Sequence, residues 1–252
     1  MNDLSEYNPT DSTGLLLVGS PGSGKTTIAL QFPQPYIYDA DNNLAGPARV
    51  APSLDVDLSK VKFDRGNFKD DGSVVPPYER YQLMTQRLVK ASQDPNIRTI
   101  ILDSLTSITD YAFDDIKRQR KIPESKRNEY KFEYDDWALL IHYYKNLVTE
   151  LRTCGKIIIF TAHESIEKDE ADKSFKTFLG IPGSSKHNLV GLFSDCWNPT
   201  VKQSGYGTAA KVERTINTIP VGSTDKRGLK SSLELPPNFP AADLPKFLKQ
   251  LK

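Results

Sequence analysis

Apolar residues in this chain fall into short unbroken blocks, separated by longer stretches in which they recur every three or four positions. The blocks are Leu15-Leu16-Leu17-Val18, Pro35-Tyr36-Ile37-Tyr38-Asp39, Thr99-Ile100-Ile101-Leu102-Asp103 and Ile157-Ile158-Ile159-Phe160 running into Thr161-Ala162-His163. Runs of this length and apolarity predict strands buried inside a sheet. Between them, Tyr78, Tyr81, Met84, Leu88 and Ala91 step at helical spacing, as do Trp137, Leu140, Ile141, Tyr144, Val148 and Leu151, the latter run closing at Cys154-Gly155. A further helix is predicted over about 105–118. Strands alternating with helices predict an α/β fold with a mostly parallel central sheet flanked by helices. The rest of the pattern is weaker. Residues 42–73 read mainly as surface structure with one short strand at 61–63, and 164–188 as a mobile, polar, Gly/Ser-rich loop. Segments 195–201, 210–218 and 229–235 read as short C-terminal antiparallel strands. The expected organisation is a polar tail at 1–13, one domain at 14–235, and a Pro-rich connector with a terminal helix at 236–252.

The first block runs into Gly19-Ser20-Pro21-Gly22-Ser23-Gly24-Lys25-Thr26, with the helix-like Thr27-Ile28-Ala29-Leu30 after it. This is the phosphate-binding pattern G-x-x-x-x-G-K-[ST] in a strand-loop-helix setting. Its glycines let successive backbone N–H groups point at one anion, and the helix start, including Thr27, adds its positive end. Lys25 is expected to reach the β and γ phosphates of a nucleotide, and Thr26 to hold Mg²⁺; no base-recognition motif distinguishes ATP from GTP. Asp103 closes the third block; a carboxylate at that sheet edge, downstream of a phosphate loop, is the expected second metal-site residue, acting through water. His163 ends the fourth block at the same edge, where the γ phosphate would lie, and is expected to sense it.

The most basic stretch holds Lys117, Arg118, Arg120, Lys121, Lys126, Arg127 and Lys131, interleaved with Tyr130, Phe132 and Tyr134. It reads either as a phosphate-tracking loop with stacking partners or as a solvated helix end partly neutralised by Glu124, Glu129 and Glu133. Lys168, Lys173, Lys176, Lys186 and His187 form a second basic group, beside Phe175 and Phe178. The formal net charge of +1 gives no global attraction to nucleic acid, so binding there would rest on these local patches. At 252 residues, with 38% hydrophobic and 26% charged residues, the chain has the composition of one globular domain. No apolar run approaches membrane-spanning length and the start is polar, so a cytoplasmic protein without a membrane partner is expected. Cys154 and Cys196 sit in apolar surroundings and are expected to be reduced.

From about Leu15 to Leu235 the order of these motifs resembles the RecA-like ATPase core. It is closer still to the short, core-only RecA-like ATPases common in bacteriophages, some of which act in single-strand annealing and recombination. Asp39-Ala40-Asp41 looks like the Asp-Ala-Glu of that family, whose Glu activates the attacking water; the resemblance therefore assigns Asp41 as general base, with an Asp where the family has Glu. Asp103-Ser104 is similar to the family's Asp-Ser pair and differs from the Asp-Glu pair of the broader AAA+ class. His163 matches the family's γ-phosphate-sensing Gln or His. The two basic groups fall where RecA carries its DNA-binding loops, by order and not by sequence. Thr224-Asp225-Lys226-Arg227-Gly228 resembles the Lys-x-Arg element that completes a neighbour's site, with Arg227 as the finger and Asp225 in place of the Lys.

The resemblance implies a Mg²⁺-dependent ATPase acting on single-stranded DNA, assembled as a homo-oligomer or filament. A nucleotide-dependent protein switch that ignores DNA is the alternative, and a small-molecule kinase a third reading, disfavoured because no Arg-rich lid follows a strand.

Overall fold

The structure, a computed structural model, describes residues 13–170, 173–205 and 211–251. Each apolar block forms a strand: β1 (Gly14–Val18), β2 (Pro35–Asp39), β4 (Thr99–Asp103) and β5 (Ile157–Ala162), all buried along their length; β3 (Lys62–Arg65) between them is a mostly exposed edge strand. With β8 (Asp195–Ser204), β9 (Lys211–Asn217) and β10 (Asn238–Pro240) they build an eight-stranded sheet in the order β10-β9-β8-β1-β5-β4-β2-β3. From β8 to β3 neighbouring strands run parallel, whereas β9 and β10 are antiparallel additions at one edge. The sheet is therefore mostly parallel with C-terminal antiparallel strands, as the block pattern predicts.

Side-chain alternation along the central strands divides the core into two layers. Leu16, Val18, Tyr36, Tyr38, Ile100, Leu102, Ile158 and Phe160 pack on one face against Met84 and Leu88 of α3 (Arg80–Gln93), Ile108 and Ala112 of α4 (Leu105–Gln119), and Leu140 and Tyr144 of α5 (Tyr134–Arg152). Leu15, Leu17, Ile37, Ile101, Ile157 and Ile159 face the other way, toward Ile28 of α1 (Lys25–Ala29) and the C-terminal Phe239, Leu244 and Leu248. A one-residue slip in β1 would exchange Leu15 and Leu17 with Leu16 and Val18 between layers. With both layers filled, the register is fixed and so are the strand ends that carry Gly19, Asp41, Asp103 and His163.

Several expectations change. The surface segment 42–73 contains a helix, α2 (Ala45–Val50), with none of its residues fully buried, which is why no apolar periodicity announced it. The loop expected at 164–188 contains a two-stranded antiparallel sheet of β6 (Glu164–Lys168) and β7 (Phe175–Leu179), followed by the short helix α6 (Ser185–Asn188). Exposure of Ile166 and Phe175 removed the alternation that would have marked these strands. The strand expected at 229–235 is only a single bridge from Lys230 to Cys196. The segment expected as a connector contributes β10 to the sheet edge and α7 (Leu244–Phe247) to the second core layer. The polar tail lies, apart from Thr13, outside the described residues. No described helix is long and apolar enough to cross a membrane. Cys154 and Cys196 are free thiols.

Candidate functional site

The turn between β1 and α1 needs left-handed backbone at Gly22 (φ 77°) and Gly24 (φ 93°), where a side chain would be strained. Gly19 is required for a different reason: a Cβ there would lie 2.8 Å from the Ser23 hydroxyl and 3.1 Å from the Asn198 amide. Asn198 itself donates to the Val18 carbonyl at 2.7 Å, so β8 braces the loop from beneath. Because α1 spans only five residues, its dipole is small, and the loop N–H groups and Lys25 supply most of the positive potential. Lys25 is buried and folds over the loop, its Nζ donating to the Gly19 and Ser20 carbonyls at 2.9 and 3.0 Å. Burial pushes its pKa down, against the opposing pull of Asp103, Glu164 and Asp41.

Asp103 sits at the end of β4 between two hydroxyls. Thr26 Oγ1 donates to Oδ2 at 2.8 Å and Thr161 Oγ1 to Oδ1, which joins the phosphate loop to β4 and β5. Burial raises the Asp103 pKa, with Asp41 adding to the rise and the two hydroxyls and Lys25 opposing it. Asp41 lies just past β2. Its Oδ1 accepts from the Ser104 N–H at 3.2 Å, from Ser104 Oγ at 2.9 Å and from Ser107 Oγ, so the start of α4 holds the carboxylate. Asp39, two residues back, is buried behind it; burial pushes its pKa up to about 6. His163 has its pKa lowered by burial and by Lys25 with Asp41 opposing, so it is neutral at pH 7, and its Nδ1 is buried without a hydrogen-bond partner among the described residues.

These groups meet in one cleft of about 500 Å³, lined by the loop, Lys25, Thr26, Thr27, Asp41, Asp103 and His163, with Asn43 and α2 as a wall and Arg214 reaching in from β9. The size suits a nucleotide. The residues also fit Mg²⁺, which takes few protein ligands and completes its shell with water and phosphate oxygens. Thr26 and Asp103 are joined and face the phosphate loop, and no group of three or more His, Cys, Asp or Glu side chains among the described residues forms an all-protein cage.

The remaining sequence-predicted residues lie apart from this cleft or are engaged elsewhere. Arg227 is 8% exposed; its guanidinium donates to Asp225 at 2.9 and 2.7 Å and to Glu164 at 2.6 Å, so it is not presented outward as a finger. Asp225, in the place of the Lys, is the partner that holds it. In the basic stretch, Lys117 pairs with Asp114, Arg118 with Asp115, and Arg120 with Asp136. Arg127 lies over Tyr78, 4.9 Å from the ring centre. Lys121, Lys126 and Lys131 are exposed with no acidic partner within salt-bridge distance among the described residues. The aromatic residues of this stretch are mostly occupied: Phe132 packs 4.5 Å from Phe113, and the Tyr130 hydroxyl donates to Asp136 at 2.7 Å. Tyr134 alone among those three is open, at 87% exposure. In the second group, Lys168 and Lys173 pair with Glu170, Lys176 with Asp169 and Lys186 with Glu167. The side chain of His187 lies outside the described residues.

Sequence reasoning missed Asn198, Ser107 and Arg214, and named Ser104 only as half of the Asp-Ser pair, without its hold on Asp41. Ser104 and Ser107 follow Asp103 at i+1 and i+4, a spacing that identifies an N-cap and its first turn; the Ser107 N–H does donate to Ser104 Oγ at 3.4 Å. Nothing local marks Asn198 or Arg214, since their position depends on which strand lies beside β1.

A family model described as an AAA domain matches residues 12–218, which takes in every element from β1 to β9 and all the cleft residues. No curated protein matches the chain. In this chain the second carboxylate of the cleft stands at Asp41, just past the neighbouring strand β2, rather than beside Asp103, where Ser104 follows instead. With the phosphate loop, the mostly parallel sheet and the family match in agreement, the chain belongs to the AAA domain family and carries its P-loop ATPase-like nucleotide domain.

Proposed function

We propose that this domain hydrolyses ATP with Mg²⁺ and that hydrolysis serves work on single-stranded DNA, of the recombination or strand-annealing kind found among core-only phage ATPases. The observation that carries the ATPase reading is the Thr26–Asp103 hydrogen bond, which sets the metal-site pair beside Lys25 in a cleft that also holds a carboxylate and a neutral imidazole. Mg²⁺, when bound, neutralises charge on the phosphates. Lys25 leaves the Gly19 and Ser20 carbonyls for the phosphate oxygens, exchanging two neutral acceptors for charged ones. Asp41, fixed by Ser104 and Ser107, orients the attacking water and takes its proton. His163, uncharged, meets the terminal phosphate oxygens as a hydrogen-bond donor and reports their presence.

DNA is supported by Lys121, Lys126 and Lys131 with the open Tyr134, and by the β6–β7 hairpin that starts one residue after His163. A specific observation favours the other reading, a nucleotide-dependent protein switch: most of the remaining basic side chains in both groups already have acidic or aromatic partners. The homo-oligomer or filament implied by the resemblance belongs to this proposal, without Arg227 as its finger in the conformation described.

Hydrolysis measured with and without single-stranded DNA, beside Lys25→Ala, tests the proposal. DNA stimulation that vanishes in the control is the expected result, and Lys121→Ala/Lys126→Ala/Lys131→Ala should weaken DNA binding and flatten its salt slope by up to about 2. Hydrolysis indifferent to DNA moves the function to the switch; no hydrolysis by the wild type removes the ATPase.

A further inference from the structure

Sheet order gives the cleft a direction. Asp41, Asp103 and His163 stand at the ends of β2, β4 and β5, all on one side of β1; β8 and β9 lie on the other. If the terminal phosphate lies among the acids and the imidazole, the α phosphate, ribose and base extend toward β8 and β9. Among the described residues the one that lines the cleft from that side is Arg214. It is held by the antiparallel ladder, opposite Val201, with buried Thr215 and Ile216 next to it in the strand. Its Cδ lies 4.0 Å from the point where a Cβ on Gly24 would sit, so the side chain crosses the last turn of the phosphate loop. It is half-buried and has no acidic partner within salt-bridge distance among the described residues. Among the described residues no Phe, Tyr or Trp lines the cleft, and the Arg214 guanidinium is the large planar group they place on this side.

We propose that Arg214 holds the nucleoside end of the nucleotide in cis, its guanidinium plane stacked on the base. A guanidinium is weakly hydrated, flat and polarising, and it stacks on π faces where an ammonium does not. The inference rests on the ATP reading of the cleft and adds a recognition residue to it.

Calorimetric titration of the full chain with Mg²⁺ and either ATP or inorganic tripolyphosphate separates the two ends of the ligand. Arg214→Ala and Arg214→Lys should each weaken ATP binding about tenfold, the loss of one stacked base, and leave tripolyphosphate binding unchanged. Retained tripolyphosphate binding also reports an intact loop, so a folding defect cannot imitate the result. Unaltered ATP affinity in Arg214→Ala overturns the inference. So does an equal loss for both ligands, which would make Arg214 a phosphate contact, and so does full rescue by Lys, which would make charge alone sufficient. A wild type that binds tripolyphosphate and ATP equally well removes the base contact while sparing the phosphate site; a wild type that binds neither removes the ATP reading itself.

Discussion

Replacing Asp39 with Asn should make the protein more stable at neutral pH and leave it unchanged in acid. Asp39 is 1% exposed, accepts from the Asn43 N–H at 3.2 Å, and has its pKa raised from 3.8 to about 6, chiefly by burial, with the nearby Asp103 and Asp41 adding to the rise. Below about pH 3.8 the carboxyl is protonated both folded and unfolded, and its titration contributes nothing. Between 3.8 and 6 the folded state keeps a proton that the unfolded state has lost, so stability falls as pH rises through this window. Above 6 the full cost is present: at about 1.4 kcal/mol per pH unit, the interval from 3.8 to 6 corresponds to about 3 kcal/mol. An amide keeps the acceptor for Asn43 and removes the charge. Allowing for relaxation around the two neighbouring carboxylates, the gain at pH 7.5 is about 1–3 kcal/mol, or about 2–10 °C in Tm for a chain of this size. Urea unfolding of wild type and Asp39→Asn at pH 4, 5, 6 and 7.5, without nucleotide or divalent cation, measures it. A gain that is the same at every pH, or largest in acid, would show that no charge is buried at this position and refute the reasoning.

Lys25→Ala should leave the fold intact and reduce ATP hydrolysis by about 10²–10³-fold or more, since the variant loses the charge nearest the loop; steady-state phosphate release beside a circular dichroism melt checks both. Asp41→Asn should retain nucleotide affinity and lose about 10²–10⁴-fold in turnover, and equal losses in binding and turnover would argue against its role with water. Arg227→Ala should destabilise by about 3–5 kcal/mol in chemical denaturation, because it leaves Asp225 and Glu164 facing each other without a cation. An Arg227→Ala protein of wild-type stability would restore the case for a finger acting on a neighbour.

What could be read from the sequence was whatever depends on local pattern. The apolar blocks identify β1, β2, β4 and β5 because a strand covered on both faces has no polar positions to confuse the period. The phosphate loop is legible because its glycines are forced by backbone angles and by the approach of Ser23 and Asn198 to Gly19. Asp41, Asp103 and His163 could be placed together because all three end buried strands of one parallel sheet. The β6–β7 hairpin and α2 were illegible because both lie largely exposed and carry no apolar face to reveal their period. The basic residues were visible as charges, but whether a lysine is free is a question of tertiary pairing. Arg120, for example, finds its partner Asp136 sixteen positions away, and the same carboxylate also accepts from Tyr130 and from the Glu133 N–H.

Arg214 and Arg227 show how energetics overrules placement by motif. Arg227 lies in the sequence element that suggests a finger, yet its charge is matched by two carboxylates in a buried cluster, where Glu164 is the residue directly after His163. Withdrawing it would strand both acids, at a cost of about 3–5 kcal/mol that a contact with a neighbour's phosphate would first have to offset. Arg214 has no motif around it, but it reaches the cleft without breaking any ion pair among the described residues. A cation whose approach to the ligand disrupts nothing contributes its full interaction to binding; one that must leave a buried pair contributes only the difference. On this argument the proposed nucleoside contact is made by Arg214 of the same chain, and a neighbour's Arg227 could contribute only after leaving its buried pair.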